Sequence, residues 1–583
     1  MKTLAPEIET ELRYFEEEIA ALESGASDPN DFKRFRLENG VYGIRNSADR
    51  HMIRIRIPFG RITPDQLEGV ADIAQQFTPT GISHLTTRQD IQFHNVLRAD
   101  VPKLLRLIAE MGLTTREACG NTVRNVTACP FAGVASDEAF DVTPYAEAVN
   151  GYFLRNPINQ NLPRKFKIAF EGCAEDHARI PIHDIGAVAK VRSSDGKLER
   201  GFHVYVAGGL GAQPRSADRL EDFTPAELII PTIEAAIRVF DRYGERRPER
   251  VHRMRARMKF IAREWGKERL HKAILSERKQ ILLTRSGRMP IEIDPSEETP
   301  PKKWVWVDGP APRWLDPAYQ RWLKTNVSEQ KQRGWHVVAV AIPLGDITPA
   351  SLRALAQIAR RYADGRIRIS IGQNFILRWV AAHELPHLFA ALKNLGLVET
   401  EGQISDITRC PGADTCQLAL THSRGLAAAL RDSIADRYAD IPEVLKLSIK
   451  ISGCMNSCGQ HHIADVGLFG ASLEVDGKTM PVYSILLGGQ TVEGKATFGK
   501  FAAKVPARLT PDAVRSVLDF YVSARRPDEE FRELLQRVGI GRFRSLLQRY
   551  TQVSSYVGRE DLQYDLGETE QFKAEIGVGE CAS

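Results

Sequence analysis

The feature that most constrains this fold is an internal duplication. The segment IPFGRITPDQLEGVADIA, which starts at Ile57, recurs as IPLGDITPASLRALAQIA from Ile342. Further along, GCAEDHARIPIHDIG from Gly172 recurs as GCMNSCGQHHIADVG from Gly453, and the offset stays between 280 and 285 residues over the whole repeat. Such a long repeat at a nearly constant offset indicates that an entire structural module is present twice.

Each copy has the pattern of an α/β unit. An alternating strand (MIRIRI or VVAVAI) is followed by a helix that begins after a Thr-Pro pair, and then by a second strand and helix. At 583 residues the chain exceeds one hydrophobic core, and about three or four domains are expected. A proline-rich stretch from Met289 to Trp314 separates the copies and is typical of a linker. Two such modules predict a pseudo-two-fold arrangement with a central cleft.

Four cysteines of the second copy form two short motifs. Cys410 and Cys416 lie in RCPGADTC, and Cys454 and Cys458 lie in GCMNSCG. An iron–sulfur cluster needs four thiolates that converge on one cube, and two loops brought together by the fold can supply them. Structural zinc sites favour two to four residues between paired ligands, and the five residues between Cys410 and Cys416 exceed that spacing. The spacing favours a cluster, with zinc and unligated buried thiols as the alternatives.

Basic residues distinguish the first copy from the second. Side chains two apart on a strand share one face, so Arg54 and Arg56 are expected to point the same way. The repeat aligns Arg124 with Arg409, and Cys173 is the first copy's one counterpart of a paired cysteine, opposite Cys454. Such charges either protect strand edges and pair with carboxylates, or they line the cleft and bind a polyanion, which is the better explanation for several together. The first copy presents six basic residues where the second presents two: Arg54, Arg56, Arg88, Arg124, Lys165 and Lys167.

Composition excludes several classes of protein. Eight cysteines among 583 residues do not make a disulfide framework, and the 43% hydrophobic and 26% charged fractions are ordinary for a globular chain. The N-terminal stretch is acidic and lacks the basic start of a signal peptide, so we expect a cytoplasmic protein. No apolar run approaches the ~18 residues of a membrane span, and the net charge of +5 does not indicate nucleic-acid binding. We expect neither a membrane nor a nucleic acid as a partner.

Several motifs in order resemble one enzyme family. They are TTRQDIQFH (Thr86–His94), RNV (Arg124–Val126), LPRKFK (Leu162–Lys167), MRARMKF (Met254–Phe260) and the two cysteine pairs. From about Leu37 to about Arg549 the chain is similar to the sirohaem- and [4Fe–4S]-dependent sulfite and nitrite reductases, of the haemoprotein-subunit or ferredoxin-dependent type. The resemblance implies two cofactors, sirohaem and a [4Fe–4S] cluster.

The resemblance also implies roles for individual residues. Cys410, Cys416, Cys454 and Cys458 would ligate the cluster, and Cys458 would also be the proximal ligand of the sirohaem iron. Sirohaem carries eight carboxylates, which accounts for much of the basic lining. The residues implied to cradle the cofactor, besides Cys458, are Thr86, Arg88, Gln92 and Asn456.

Four cations would surround the substrate anion by the same resemblance: Arg54, Arg124, Lys165 and Lys167. They would neutralise an oxyanion in a water-poor pocket and donate protons as its oxygens leave. Family members that favour nitrite often have Asn where this chain has Lys167, and members that favour sulfite have Lys. The RKFK sequence therefore favours six-electron reduction of sulfite to sulfide, with reduction of nitrite to ammonia as the alternative and a non-catalytic electron carrier or redox sensor as a distant one.

The electron donor is expected to be another protein. The sequence has no G-x-G-x-x-G opening a Rossmann unit and no evident flavin or nicotinamide module. Ferredoxin is the first expectation and a flavoprotein reductase subunit the second. The basic segment 242–272 suits an acidic donor, or it is a solvated helix surface or a contact with cofactor carboxylates.

Other residues receive weaker assignments. His461 and His462 are expected to be structural, since four thiolates already complete the cluster. Tyr42 and Cys119 occupy positions where some family members form a cross-link near the substrate pocket, and ordinary packing is the default. Three more cysteines are expected to have no role in the chemistry: Cys129 and Cys173, which we expect to be buried, and Cys581 on the acidic tail.

The expected fold class is α/β (α+β), with three domains built from the duplicated module about a pseudo-two-fold axis. An N-terminal extension covers residues 1–49. Ferredoxin-like half-domains at 50–113 and 335–398 are expected to pair. Two further α/β domains are expected to hold sirohaem and the cluster: residues 114–330, with a linker at about 288–334, and residues 399–583.

Overall fold

The computed structural model describes residues 3–194, 196–247, 249, 252, 254–284, 291–301, 316–399, 401–434, 437–553 and 558–574. Cys581 lies outside these residues. Two N-terminal helices lead into a sheet formed mainly by the first copy, and Leu12, Phe15 and Phe32 of these helices are buried in the same core as the sheet. The elements to residue 110 are α1 (Pro6–Glu23), α2 (Pro29–Glu38), β1 (Val41–Gly43), β2 (Arg50–Ile55), β3 (Arg61–Ile62), α3 (Pro64–Phe77), β4 (Ser83–Leu85), β5 (Ile91–Leu97) and α4 (Val101–Glu110).

A mixed sheet follows in the first copy. Strands β6, β7 and β8 are parallel, and β9 and β10 continue the sheet in antiparallel fashion. Its apolar face is covered by α6, whose Ile233, Ala236 and Phe240 are fully buried. The elements are β6 (Thr127–Ala128), α5 (Thr143–Phe153), β7 (Ile168–Glu171), β8 (Ile185–Ser194), β9 (Lys197–Val206), β10 (Asp218–Arg219), β11 (Thr224–Pro225), α6 (Ile229–Tyr243), α7 (Met258–Trp265) and α8 (Lys267–Thr284).

The second copy begins with a helix that precedes its own first sheet. The helix α9 buries Tyr319 and Trp322 against Phe389. The elements are α9 (Pro317–Asn326), β12 (Val327–Glu329), β13 (Trp335–Val340), β14 (Asp346–Ile347), α10 (Pro349–Tyr362), β15 (Ile367–Ile369), β16 (Phe375–Ala381) and α11 (Leu385–Asn394).

The second mixed sheet repeats the architecture of the first. Strands β17, β18 and β19 are parallel, and β20 and β23 are antiparallel. The elements are β17 (Thr408–Arg409), α12 (Ser423–Ile434), α13 (Pro442–Leu445), β18 (Ile449–Ser452), β19 (Val466–Val475), β20 (Lys478–Leu487), β21 (Gln490–Val492), β22 (Lys495–Thr497), β23 (Lys500–Pro506), α14 (Thr510–Ala524) and α15 (Phe531–Thr551). The predicted α/β fold built from a repeated module is therefore confirmed.

The two copies exchange short strands in their first sheets. The order β1-β2-β5-β4 ends in β14 of the second copy, and the order β12-β13-β16-β15 ends in β3 of the first. Helices α3 and α10 pack on each other, and both begin at a threonine that caps the helix: Thr63 accepts from the amide of Gln66, and Thr348 accepts from that of Ser351. The two sheets share one apolar core, so neither half can be separated without exposing it.

The mixed sheets correct the alignment of the two copies around the cysteines. Ala128 of β6 pairs with Phe170, and Arg409 of β17 pairs with Ile451, which places both pairs at an offset of 281 residues. Arg124 is thus not the counterpart of Arg409. Instead Cys129 is the counterpart of Cys410, and each donates its backbone N–H to the paired strand, at 3.0 and 3.2 Å. The first copy therefore retains two cysteines at cluster positions, one more than the sequence alignment indicated.

The segment predicted as a linker is only partly one. Residues 302–315 lie outside the described residues, but 316–334 contains α9, which is packed into the core, and β12, whose Val327 packs against that core. Near the start of the segment predicted as a linker, Glu297 lies between Arg368 and Arg378, with contacts of 3.2 and 2.5 Å. These arginines outweigh the effect of burial and hold the pKa of Glu297 well below its usual range.

Candidate active site

A deep cavity lies where the first copy's β2 and β5 meet the cysteine loops of the second copy. It encloses about 1430 Å³ of atom-free space, its mouth included. The structure brings together in its walls every residue predicted for the site, while the role of each stays a prediction. The residues are Arg54, Thr86, Arg88, Gln92, Arg124, Lys165, Lys167, Cys410, Cys416, Cys454, Asn456 and Cys458.

Two parallel strands position the cysteine loops. Cys410 follows β17 and Cys454 follows β18, so both loops emerge at the same edge of the sheet. The loops are also bonded to each other, because Gly453 donates its N–H to the Cys410 sulfur at 3.2 Å. A side chain at Gly453 would meet the Thr421 carbonyl oxygen at 2.7 Å, so this close approach requires glycine. Cys410 is buried and Cys458 is the exposed member, presented to the cavity.

The four thiols are close enough to influence one another. Burial raises the pKa of Cys416 to about 12, and the neighbouring Cys458 and Cys410 add to the effect. Burial and Cys458 also raise the pKa of Cys410 and of Cys454. Four thiolates in this place therefore need compensating positive charge, which bound iron supplies.

The spread of the sulfurs bears on the zinc alternative. In a tetrahedral zinc site, ligand atoms at about 2.3 Å from the metal lie roughly 3.8 Å from one another. Among the described residues, some groups of His, Cys, Asp or Glu have all their ligand atoms within 4.8 Å of one another. No three of the four cavity cysteines have their sulfurs that close together. Such a spread suits a cube of iron and sulfur better than a single ion.

The opposite wall of the cavity carries the predicted cations. Arg54 on β2 faces Gln92 across the strand pair, and with its amide oxygen turned inward Gln92 accepts from Arg54 Nε at 2.8 Å. Arg124 donates to the Ala118 carbonyl at 2.7 Å and to the Tyr42 hydroxyl at 3.2 Å. These bonds hold both guanidinium groups at fixed places in the wall.

Burial and mutual repulsion change the acidity of this wall. Burial lowers the pKa of Arg88 to about 9, with a further contribution from Arg124. Burial, then Arg88 and Lys165, lower the pKa of Lys167 well below its ordinary value. His183, which contacts Arg88 Nη1 at 2.7 Å, is held neutral by burial and by Arg88, which lower its pKa. The wall is thus electrostatically strained until an anion binds.

Arg56 is not part of this wall, contrary to the expectation that it shares a face with Arg54. Its strand ends at Ile55, and Arg56 turns into the core, where it contacts Glu117 at 3.0 Å with both side chains fully buried. Asn150 also accepts from it, at 2.8 Å. The alternative explanation, in which a buried cation is paired with a carboxylate elsewhere, is correct for Arg56.

Sequence analysis missed several residues that line the cavity. Arg409 reaches in from the residue before Cys410 and makes a contact of 2.5 Å with Asp346 of the exchanged strand β14. Asp346 also contacts His84 Nδ1 at 2.8 Å. Arg164, next to Lys165 in the RKFK motif, lines the cavity too. The position of Arg409 beside a predicted ligand was a usable signal, whereas the link through Asp346 depends on the strand exchange.

The other assigned residues lie around the site. Tyr42 lines the cavity with its ring under Arg54, and Cys119 is buried in the segment that joins Ala118 to Arg124, so a cross-link between Tyr42 and Cys119 stays a prediction. His461 is fully buried and stacks on Phe469 at 4.8 Å. His462 bonds to the Gly211 carbonyl at 3.0 Å. Neither histidine lines the cavity.

Comparison with known proteins identifies the family. The family model described as "Nitrite and sulphite reductase 4Fe-4S domain" matches residues 119–282 and 401–554. The model described as "Nitrite/Sulfite reductase ferredoxin-like half domain" matches residues 43–111 and 328–395. The chain belongs to the nitrite and sulphite reductase family. This reductase is therefore an oxidoreductase, and its cofactors are a [4Fe–4S] cluster and sirohaem.

Three relatives show how broad the similarity is. An assimilatory ferredoxin-dependent nitrite reductase of Haloferax mediterranei is 29% identical over 91% of this chain and 89% of its own. A sulfite reductase [ferredoxin] of Mycolicibacterium paratuberculosis is 28% identical over 83% of this chain and 81% of its own. The solved structure of the Mycobacterium tuberculosis NirA protein matches with a TM-score of 0.75 and 25% identity, over 89% of this chain and 92% of that one.

The residues of the cavity fit both cofactors. Four thiols converge on one end, in loops at the edge of one sheet. In the walls of the same cavity, Arg88 Nε and Arg409 Nε are buried N–H groups with no hydrogen-bond partner among the described residues. Such donors suit the carboxylates of a polyanionic ligand.

Among the helices that the structure describes, none combines the length and the apolar character of a membrane-spanning segment.

Proposed function

We propose that this protein is an assimilatory sulfite reductase. The observation that supports sulfite most directly is Lys167, which adds a fourth cation to Arg54, Arg124 and Lys165 in one cavity. Sulfite has more charge and one more oxygen than nitrite, so a further cation stabilises it more. The similarity to the mycobacterial sulfite reductase agrees with this proposal.

The residues of the chain would bind and orient the anion and supply protons. The sirohaem and cluster supply the redox chemistry when they are bound. The arginines can hold two oxygens of the anion through forked hydrogen bonds. Lys167, whose pKa is lowered by burial, Arg88 and Lys165, is suited to give up a proton as oxygen leaves as water.

Nitrite reduction to ammonia is the second candidate. It is supported by two relatives that are nitrite reductases by name and are 29% and 30% identical over 91% and 85% of this chain, against 28% over 83% for the sulfite reductase. A non-catalytic electron carrier or redox sensor is disfavoured, because it has no need of a cavity lined by four cations on the side opposite the cysteines.

The experiment is a comparison of kcat/KM for sulfite and for nitrite, with a reduced dye as donor, in the wild type and in Lys167→Asn. We expect the wild type to prefer sulfite, and the variant to lose about a hundredfold for sulfite and less than tenfold for nitrite. Lys190→Asn is the matched control, since Lys190 pairs with Glu493 at 2.9 Å, away from the cavity. A wild-type preference for nitrite that Lys167→Asn leaves unchanged would contradict the proposal.

We also propose a ferredoxin as the electron donor. Ferredoxin stands in the names of both relatives above, from Haloferax and from Mycolicibacterium. The basic segment 242–272 is a weaker docking surface than its sequence suggests, because Arg242 contacts Glu277 at 3.2 Å and Arg246 and Arg247 pair with Asp241 and Glu245. Turnover with reduced ferredoxin that falls steeply with salt, against no turnover with NADPH and a flavoprotein reductase, is the expected result.

A further inference from the structure

The first copy contains a second group of metal-ligating side chains, separate from the cavity cysteines. The ligand atoms of Cys129, Glu171, Cys173 and His177 all lie within 4.8 Å of one another. Cys129, Glu171 and Cys173 are buried, and His177 is partly exposed. None of these four residues lines the cavity of the candidate active site.

These residues occupy the positions that hold the cluster cysteines in the second copy. The offset of 281 residues sets Cys129 against Cys410, Cys173 against Cys454 and His177 against Cys458. The fourth cluster cysteine, Cys416, has Ala135 as its counterpart. The first copy thus offers two thiols and an imidazole where the second offers four thiols.

Several backbone hydrogen bonds recur around the two groups. Ala139 donates to the Gly172 carbonyl at 2.8 Å, and Leu420 donates to the Gly453 carbonyl at 2.8 Å. The loop of the first copy is closed by Ala178, which donates to a Glu171 carboxylate oxygen at 2.8 Å. The corresponding amide of the second copy bonds to a serine hydroxyl at 3.0 Å. The loops have therefore kept the shape that gathers ligands on one point.

The distances in the first copy match a single tetrahedral ion. The sulfurs of Cys129 and Cys173 are 3.5 Å apart, and Cys129 Sγ lies 3.6 Å from His177 Nδ1. Glu171 Oε2 is 4.0 Å from the same nitrogen. Zinc with sulfur ligands at about 2.3 Å and nitrogen at about 2.0–2.1 Å places its ligand atoms roughly 3.5–3.8 Å apart. The ligand atoms of this group therefore lie closer together than the sulfurs of the four cavity cysteines do.

The surroundings also resemble those of a zinc site. The second nitrogen of His177, Nε2, faces an exposed carboxylate oxygen of Glu175 at 3.6 Å, and carboxylates commonly lie on this side of a metal-bound imidazole. Phe131 packs its edge against the His177 ring at 4.9 Å.

We propose that Cys129, Cys173, His177 and Glu171 bind one structural zinc ion. The ion displaces the thiol protons and joins the loop after β6 to the loop after β7, as the cluster joins the equivalent loops of the second copy. Glu171 completes four ligands, which closes the site and gives it a structural role. The proposal is independent of the substrate and of the electron donor.

The test is the metal content of the purified holoenzyme by mass spectrometry. We expect about one zinc per chain, lost in Cys129→Ala and in His177→Ala while iron stays at the content of one cluster and one sirohaem. His203→Ala is the matched control, since His203 lies on β9 of the same sheet and contacts Glu493 at 3.4 Å; it should keep its zinc. A holoenzyme that takes up no zinc when incubated with zinc sulfate and dialysed overturns the proposal.

If the variants do not fold, X-ray absorption at the zinc edge of the wild-type holoenzyme identifies the atoms that bind the zinc. Two sulfurs at about 2.3 Å together with nitrogen and oxygen at about 2.0–2.1 Å support the site. Four sulfurs would place the zinc among the cluster cysteines and overturn it. A disulfide between Cys129 and Cys173, found by mass spectrometry of the native protein, would overturn it too.

Discussion

The two copies of the module share a backbone and differ in chemistry. At the cysteine loops several backbone hydrogen bonds recur, yet the second copy carries Cys458 where the first carries His177. At the first sheets the difference is reversed, because Arg54 of the first copy stands where the second has Ala339. The comparison indicates that both copies kept the scaffold, while the residues of the candidate active site are divided between them.

Two cavities of the molecule, related by the repeat, differ in the charge of their walls. A second cavity of about 1730 Å³ is lined by Gly372 and Ser448, the counterparts of Arg88 and Lys167. Its wall mixes cations with carboxylates, and burial and the neighbouring Glu401 raise the pKa of Asp406. A wall of mixed charge has no preference for a polyanion. The cationic cavity therefore depends on the first copy, and its cysteines come from the second.

The largest expected effect comes from matched cysteine substitutions in the two copies. Cys454→Ala removes a proposed cluster ligand, and we expect loss of cluster iron and at least a thousandfold loss of turnover. Cys173→Ala, the equivalent change in the first copy, should keep the iron of the cluster and of the sirohaem, while it loses the zinc proposed above. Iron analysis, visible spectra and steady-state kinetics check both. Retention of the cluster in Cys454→Ala would contradict the assignment of the cluster ligands to the second copy.

The next contrast lies within one strand of the first copy. Arg54→Ala should lower kcat/KM about 10²–10³-fold with stability nearly unchanged, because Arg54 faces the cavity. Arg56→Ala should leave the activity of the folded enzyme within severalfold, but it leaves Glu117 buried and unpaired. Breaking such a pair costs about 3–5 kcal/mol, which a lower urea midpoint would report. Equal loss of activity in both variants would contradict the assignment of Arg54 to the cavity and of Arg56 to the core.

A smaller effect concerns the pH dependence of the cationic wall. Burial, Arg88 and Lys165 lower the pKa of Lys167, so it loses its proton at a lower pH than an exposed lysine. Since the protonated form attracts the anion, kcat/KM for sulfite should fall as pH rises through this lowered pKa. Lys167→Arg should remove that alkaline limb, because an arginine keeps its charge. An identical pH profile in the variant would show that another group controls the limb.

The sequence predicted the repeat, the fold class and the residues of the cavity, because these depend on long periodic segments and on motifs. It misplaced the counterpart of Arg409, because the strands beside it, β6 and β17, have only two residues and no pattern to align. It misassigned Arg56 because alternation holds only within a strand, and β2 ends one residue earlier. Neither the strand exchange that brings Asp346 to the site nor the compact group at Cys129 follows from local pattern, since each depends on contacts between distant segments.

The smallest expected effect compares the duplicated helix caps. Thr63→Ala and Thr348→Ala should each destabilise by about 1 kcal/mol, because each leaves a first-turn amide of α3 or α10 without its acceptor. Thr348→Ala should cost slightly more, since the Thr348 hydroxyl also donates to the Ser351 hydroxyl at 3.0 Å. The bond from the Thr63 backbone N–H to the Gln66 side chain is retained in Thr63→Ala. Hydrogen exchange in peptides from the two first turns measures this. Thr10→Ala is the control, because its hydroxyl bonds to the Pro6 carbonyl within α1 and caps nothing. Faster exchange at α3 in Thr63→Ala than at α10 in Thr348→Ala would contradict this order, because it would mean that the first copy depends more on its threonine than the second.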